Sequence, residues 1–245
     1  MAELVGEIFS RIGLVEVQRD VVRNIVSIRD SQDLFDDLTS DPRDRALAQS
    51  LESDFKPPPY TNTIPIIRRP FEEAEWFGAI DWPFRNWQSS RFSIGTHGVW
   101  YGSGDEETTV YESAYHWYNG LLSDAGFERH TVIGERKLYN VRCSAALLDF
   151  RPLSADFSDV LHPTDYSAAQ SLGSRIHRDG HPGIVVPSVR HPGGGENYAV
   201  FNAAVLSDPR ARCYMTYRLE DGRIMIEKVP GTVFLSIPAR SLAGL

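Results

Sequence analysis

The sequence predicts an α+β fold: mostly antiparallel sheets with flanking helices, entered through an N-terminal helical extension. Three observations carry this expectation. After residue 60, β-forming segments outnumber helical ones and lie close together in the chain. Asp221-Gly222 stands between two alternating apolar segments, a strong signal for a two-residue hairpin. The run Lys56-Pro57-Pro58-Pro59-Tyr60 separates the first part of the chain from the rest, because three prolines forbid helix and favour an extended linker. Close-set strands with a hairpin argue against a doubly wound parallel sheet.

The elements are expected in the following order. Val15, Val22, Ile25, Ile28 and Leu34 recur at helical spacings, so residues 1 to about 53 are expected to be helical. Asp41-Pro42 opens a further helix, with aspartate as cap and proline in the first turn. This gives an extension over 1–55 and a main domain over 60–245; the extension is either a separate interaction element or a cap on that domain. Thr63 to Ile67 reads as an edge strand because of Pro65. Residues 70–100 are dense in aromatic side chains. Val99-Trp100-Tyr101 is a short strand, followed by a turn over 102–105 and a helix over about 106–122. Strands are expected within 132–150, 184–186 and 198–201, and a helix over 166–176. The end of the chain alternates at 214–219, 224–229 and 232–237.

Composition narrows the function. A chain of 245 residues buries a sizeable core without staples. Its net charge of −8 disfavours direct nucleic-acid binding. The two cysteines, Cys143 and Cys213, have no metal-ligand spacing and make no disulfide framework. No apolar run approaches a membrane span, and the opening residues lack a signal core, so a cytoplasmic, membrane-free protein is expected.

Several short motifs mislead. His177-Arg178-Asp179 resembles a kinase catalytic loop but lacks every accompanying element. His177 and His181 have helical zinc-ligand spacing, yet Gly180, Pro182 and Gly183 break the helix that would align them. His191-Pro192-Gly193-Gly194-Gly195 resembles an esterase oxyanion loop, but there is no nucleophile elbow; the glycines suit a flexible loop or a close backbone approach to a ligand. No P-loop or dinucleotide fingerprint is present.

Residues 89–119 gather three residue types that nucleotide chemistry uses. Arg91 precedes a glycine-containing turn, Tyr101 ends a short strand, and Glu112 lies on the helix that follows. A guanidinium pairs with phosphate oxygens bidentately, an aromatic ring stacks on a base, and a carboxylate stabilises positive charge developing on ribose. Each also has an ordinary structural role open to it: a surface arginine, a core aromatic, an exposed helical glutamate.

The run Arg91-Phe92-Ser93, then Val99-Trp100-Tyr101-Gly102-Ser103, then Glu107-Thr108-Thr109-Val110-Tyr111-Glu112, resembles the core of the RES domain, a family named for its Arg, Glu and Ser. A third stretch, Val186-Pro187-Ser188-Val189-Arg190 with Gly193-Gly194 and Asn197, continues the likeness, which spans about 62–236. The resemblance implies a fold similar to ADP-ribosyltransferase toxins and an NAD phosphorylase or NAD glycohydrolase that cleaves the nicotinamide–ribose bond. It implies Arg91, Tyr101, Glu112 and Ser188 as catalytic residues, with Asn197 and one or both of Arg68 and Arg69 binding NAD. No metal or cofactor is implied, NAD being the substrate and phosphate or water the acceptor. It further implies a toxin of a toxin–antitoxin pair, an Xre-type antitoxin that occludes the site, and a homodimer or hetero-oligomer. Two other readings share these residues: an ADP-ribosyltransferase acting on a protein, and a non-catalytic module that binds a nucleotide or partner.

Overall fold

The computed structural model describes residues 1–27, 77–127 and 129–243. The expected helix after Asp41, the proline run, the strand at 63–67, and Arg68 and Arg69 lie outside the described residues. Of the described residues, one compact unit holds 1–23, 77–112 and 139–210, and a second holds 24–27, 113–127, 129–138 and 211–243.

The first unit opens with helix α1 (Ala2–Arg11), which turns Val5 and Ile8 inward. The chain then enters strand β1 (Gly13–Val26). This corrects the expectation of continuous helix: Val15, Val22 and Ile25 lie on a strand. The missed signal is the density of β-branched residues, with Val17, Val21 and Val26 filling the gaps between the supposed helical positions. β1 pairs antiparallel with β4 (Trp100–Ser103), Val22 opposite Ser103. β4 pairs antiparallel with β7 (Glu196–Val200), and β7 with β6 (Gly183–Pro187). The last neighbour is β5 (Val132–Asp149), which joins β6 in parallel through Leu148 and Ile184, an exception within a mostly antiparallel arrangement.

This unit also holds the short α2 (Trp82–Arg85), the start of α3 (Glu106–Tyr115), α4 (Ser167–Arg178) and a ribbon. The ribbon pairs β2 (Ser89–Ser90) with β3 (Ser93–Ile94), leaving Arg91 and Phe92 at its tip. The core joins Val5 and Ile8 of α1 to Ala168, Ala169, Leu172 and Ile176 of α4, and to Ile184, Val186 and Ala199 of the sheet. The N-terminal helix is thus part of this unit's core.

Side-chain alternation along strands puts residues two apart on one face. Ala199 belongs to the core under α1 and α4, so Asn197 shares that face. Tyr101 and Ser103, opposite Ala199 and Asn197, lie there too. Glu196 and Tyr198 take the other face, where Arg151 holds Asp149 through Nε at 2.7 Å and Nη2 at 2.8 Å, and Glu196 at 2.5 Å.

In the second unit β8 (Leu206–Glu220), β9 (Arg223–Val229) and β10 (Thr232–Pro238) form an antiparallel meander. Asp221 and Gly222 both have positive φ, 49° and 71°, as a type I′ hairpin requires, so this turn is as expected. Asn24 donates to the hydroxyls of Ser113 at 2.9 Å and Tyr217 at 3.0 Å. Among the described residues no helix is long and apolar enough to cross a membrane; this does not bear on β-barrels.

Candidate active site

Glu112 sits in the second turn of α3, and two side chains fix its carboxylate. The Ser188 hydroxyl donates to Oε1 at 2.7 Å, and the Asn197 amide donates to the same oxygen at 2.5 Å. Among the described residues no hydrogen bond goes to Oε2. The amide of Asn197 is oriented in turn: Ser103 Oγ donates to its Oδ1 at 2.7 Å. Two side chains, from β7 and the loop after β6, therefore hold one carboxylate oxygen, with Ser103 of β4 orienting one of them, and charge-assisted bonds of this kind are short and strong. Glu112 itself is half-buried.

Ser188 is anchored by its backbone as well as by Glu112. Its N–H donates to Gly195 O at 2.8 Å, closing the loop 188–195 at its ends. Its hydroxyl oxygen accepts the N–H groups of Arg190 at 3.3 Å and His191 at 3.1 Å.

Arg91 projects from the tip of the β2–β3 ribbon. Its Nη1 donates to the carbonyls of His162 at 2.8 Å and Val160 at 3.4 Å. The guanidinium lies 4.4 Å from the centre of the Tyr166 ring, a cation–π contact. Burial lowers its pKa from the ordinary value; Tyr166 opposes this, the neighbouring Arg190 guanidinium adds to it, and Glu112 opposes it. Arg190, buried at 2% exposure, donates to Tyr166 OH at 3.1 Å and to Pro163 O. Two guanidiniums thus flank one tyrosine, and that of Arg91 feels the charge of Glu112.

Tyr101 supports the ribbon from below. Its hydroxyl accepts the Phe92 N–H at 3.0 Å and bonds Ser90 Oγ at 2.9 Å. Burial raises its phenol pKa to about 12. Gly173 of α4 lets the ribbon pack closely, since a Cβ there would stand 2.0 Å from Phe92 O.

Of the residues singled out from the sequence, Glu112, Ser188 and Asn197 form one hydrogen-bonded group, with Arg91 close enough to feel its charge. Tyr101 reaches them indirectly, through the ribbon that carries Arg91. Sequence reasoning overlooked Ser103, Tyr166 and the contact made by Arg190. Ser103 was accessible by strand alternation from Tyr101; the other two depend on where α4 begins in space. The glycine-rich loop makes its close approach to a protein side chain: Gly195 would place a Cβ 2.2 Å from Thr108 Oγ1. His177 and His181 do not converge, the first stacking on His97 at 4.4 Å and the second meeting Phe9 at 5.8 Å. Among the described residues no group of three His, Cys, Asp or Glu is placed to hold a metal.

Residues 66–220 match the model of the RES domain family. The chain belongs to the RES domain family. That match contains every residue of the carboxylate group and the ribbon, so the site lies within the RES domain. Among solved structures, a chain of the crystal structure of the M. tuberculosis MbcT–MbcA toxin–antitoxin complex is similar at 14% identity and a TM-score of 0.44, over 86% of this chain and 90% of that one. No curated protein matches the chain.

Proposed function

We propose that this RES-domain chain cleaves the nicotinamide–ribose bond of NAD, with phosphate or water as acceptor, and serves as the toxin of a toxin–antitoxin pair whose partner is an Xre-type antitoxin. The observation that carries this reading is a carboxylate, Glu112, held through one oxygen by Ser188 and Asn197. Membership of the RES family, whose studied members degrade NAD, supports it.

Nicotinamide is a cationic leaving group, so departure needs no strong acid. As the C1′–N bond stretches, ribose gains positive charge, and the Glu112 carboxylate is the group to stabilise it. Because Ser188 and Asn197 hold the carboxylate before substrate arrives, no reorganisation is needed as that charge develops. The acceptor oxygen then bonds C1′, a water acceptor releasing its proton to solvent and a phosphate acceptor attacking through an anionic oxygen, while neutral nicotinamide leaves with the former bonding pair. Arg91 is proposed to hold the pyrophosphate and Tyr101 to stack on nicotinamide. Arg68 or Arg69 is proposed as a further phosphate contact.

Purified protein incubated with NAD, with and without phosphate, tests the reading by product mass. Free nicotinamide with ADP-ribose 1″-phosphate or ADP-ribose is expected, and EDTA should leave the rate unchanged because the leaving group is already activated. A mass increase on an added protein in place of these products would mean ADP-ribosyl transfer; intact NAD would overturn the proposal.

Arg91→Lys keeps a positive charge but loses both the fork and the flat face that lies on Tyr166. A loss of about 1–3 kcal/mol in kcat/KM for NAD is expected, the size of a charge-assisted hydrogen bond. Steady-state kinetics at constant ionic strength measures it, and a lysine variant as active as wild type would show that Arg91 does not pair with phosphate.

A further inference from the structure

Helix α3 presents two polar side chains one turn apart, Thr108 and Glu112, on the same face. The loop 188–195 meets both. Ser188 bonds Glu112 at 2.7 Å, and His191 Nδ1 lies 3.0 Å from Thr108 Oγ1. The Thr108 hydroxyl spends its proton on Asp105 Oδ2 at 2.7 Å, so its oxygen accepts and His191 Nδ1 carries the donating proton. The other ring nitrogen faces Glu107 Oε1 at 3.5 Å. The imidazole lies nearly flat on Tyr111, with centroids 4.9 Å apart and planes 18° apart. Gly195 presses the loop's far end onto the same threonine, as its φ of +148° and absent Cβ allow.

These contacts bear on Ser188 directly. The backbone N–H of His191 donates to the Ser188 hydroxyl at 3.1 Å while its ring is fastened to α3. Residue 191 therefore ties the serine to the helix that carries Glu112, by a route separate from the serine–glutamate bond itself.

We infer that His191 is a positioning residue, which clamps the loop 188–195 onto α3 and so keeps Ser188 and Glu112 in register. The inference rests on the proposed role of Glu112 as the charge stabiliser. Its chemical content is the Nδ1–H bond to Thr108, and not the mere bulk of the ring. A displacement of the order of 1 Å in a catalytic group costs up to about 100-fold in rate.

Three variants separate the hydrogen bond from the bulk. His191→Ala removes both, His191→Asn restores an N–H donor near the position of Nδ1, and His191→Phe restores only the ring. Each is measured for kcat and KM with NAD and for amide exchange across 188–195 by mass spectrometry. His191→Ala is expected to lower kcat by about 10-fold or more with KM nearly unchanged, and to speed exchange in the loop. His191→Asn should recover most of both effects and His191→Phe little of either. Equal recovery by His191→Phe, or wild-type kcat and exchange in His191→Ala, would overturn the inference. Should His191→Ala fail to fold, Thr108→Val removes the acceptor, together with the threonine's bond to Asp105, and must show the same kcat loss and faster exchange, while Thr108→Ser, which keeps both bonds, must not; wild-type values in Thr108→Val would refute the clamp. If the wild-type protein does not consume NAD, the proposed activity fails, and the exchange pattern across the variants still decides whether His191 clamps the loop.

Discussion

Glu112→Gln is expected to lower turnover of NAD by about 10²–10³-fold while leaving NAD binding close to wild type. The geometry makes this a clean substitution. Ser188 and Asn197 both donate to Oε1 of Glu112, and a glutamine carbonyl in that place accepts both bonds. What changes is the charge and the second oxygen, now an amide nitrogen. Positive charge on ribose appears in the transition state and not in bound NAD, so the loss should fall on kcat and spare KM. Removing a negative charge also slightly favours an anionic substrate. Glutamine and glutamate have similar helix propensity, so α3 should be unaffected. Single-turnover rates, calorimetric NAD binding and the thermal midpoint together test this. A near-wild-type rate would remove Glu112 from the chemistry. A protein that unfolds would make the Ser188–Glu112–Asn197 group a structural one, and the catalytic carboxylate would be sought at Glu106 or Glu107.

Ile8→Ala is expected to destabilise the protein by about 2–5 kcal/mol, the range for large-to-small changes in a core. Ile8 is fully buried in a cluster that includes Leu172 and Ile176 of α4. For a chain of this size that is a fall of about 5–15 °C in Tm. Glu3, exposed on the same helix, is the control: Glu3→Ala should change stability by less than about 0.5 kcal/mol. Urea unfolding followed by fluorescence reads both. An Ile8→Ala variant as stable as wild type would show that α1 is an appendage. The same packing predicts that a chain beginning at Pro59, which lacks α1 and β1, will be insoluble or inactive.

Much of the candidate site could be read from residue order. Arg91, Tyr101 and Glu112 stand close in the chain, and the elements between them are short, so their nearness survives folding. The final three strands and their Asp221-Gly222 turn follow from local chemistry, because alternation and positive φ are properties of a few residues. Residues 13–26 mimic a helix because six β-branched side chains among fourteen positions satisfy a helical spacing when only some of them are counted. Pairing with β4 decides the matter, and that partner lies far along the chain.

The sequence alone determined an α+β chain of RES type and singled out an arginine, a tyrosine, a glutamate and a serine as its candidate chemical residues. The fold class follows from the pattern of elements, and the residues from the motifs that resemble the RES domain. Only the tertiary structure decided that Ser188 and Asn197 meet Glu112 at a single oxygen, that Tyr166 lies under Arg91, and that His191 reaches Thr108. The reason is physical. These bonds join residues more than 70 positions apart, and their lengths depend on how α3, α4 and the strands pack, which no local pattern encodes.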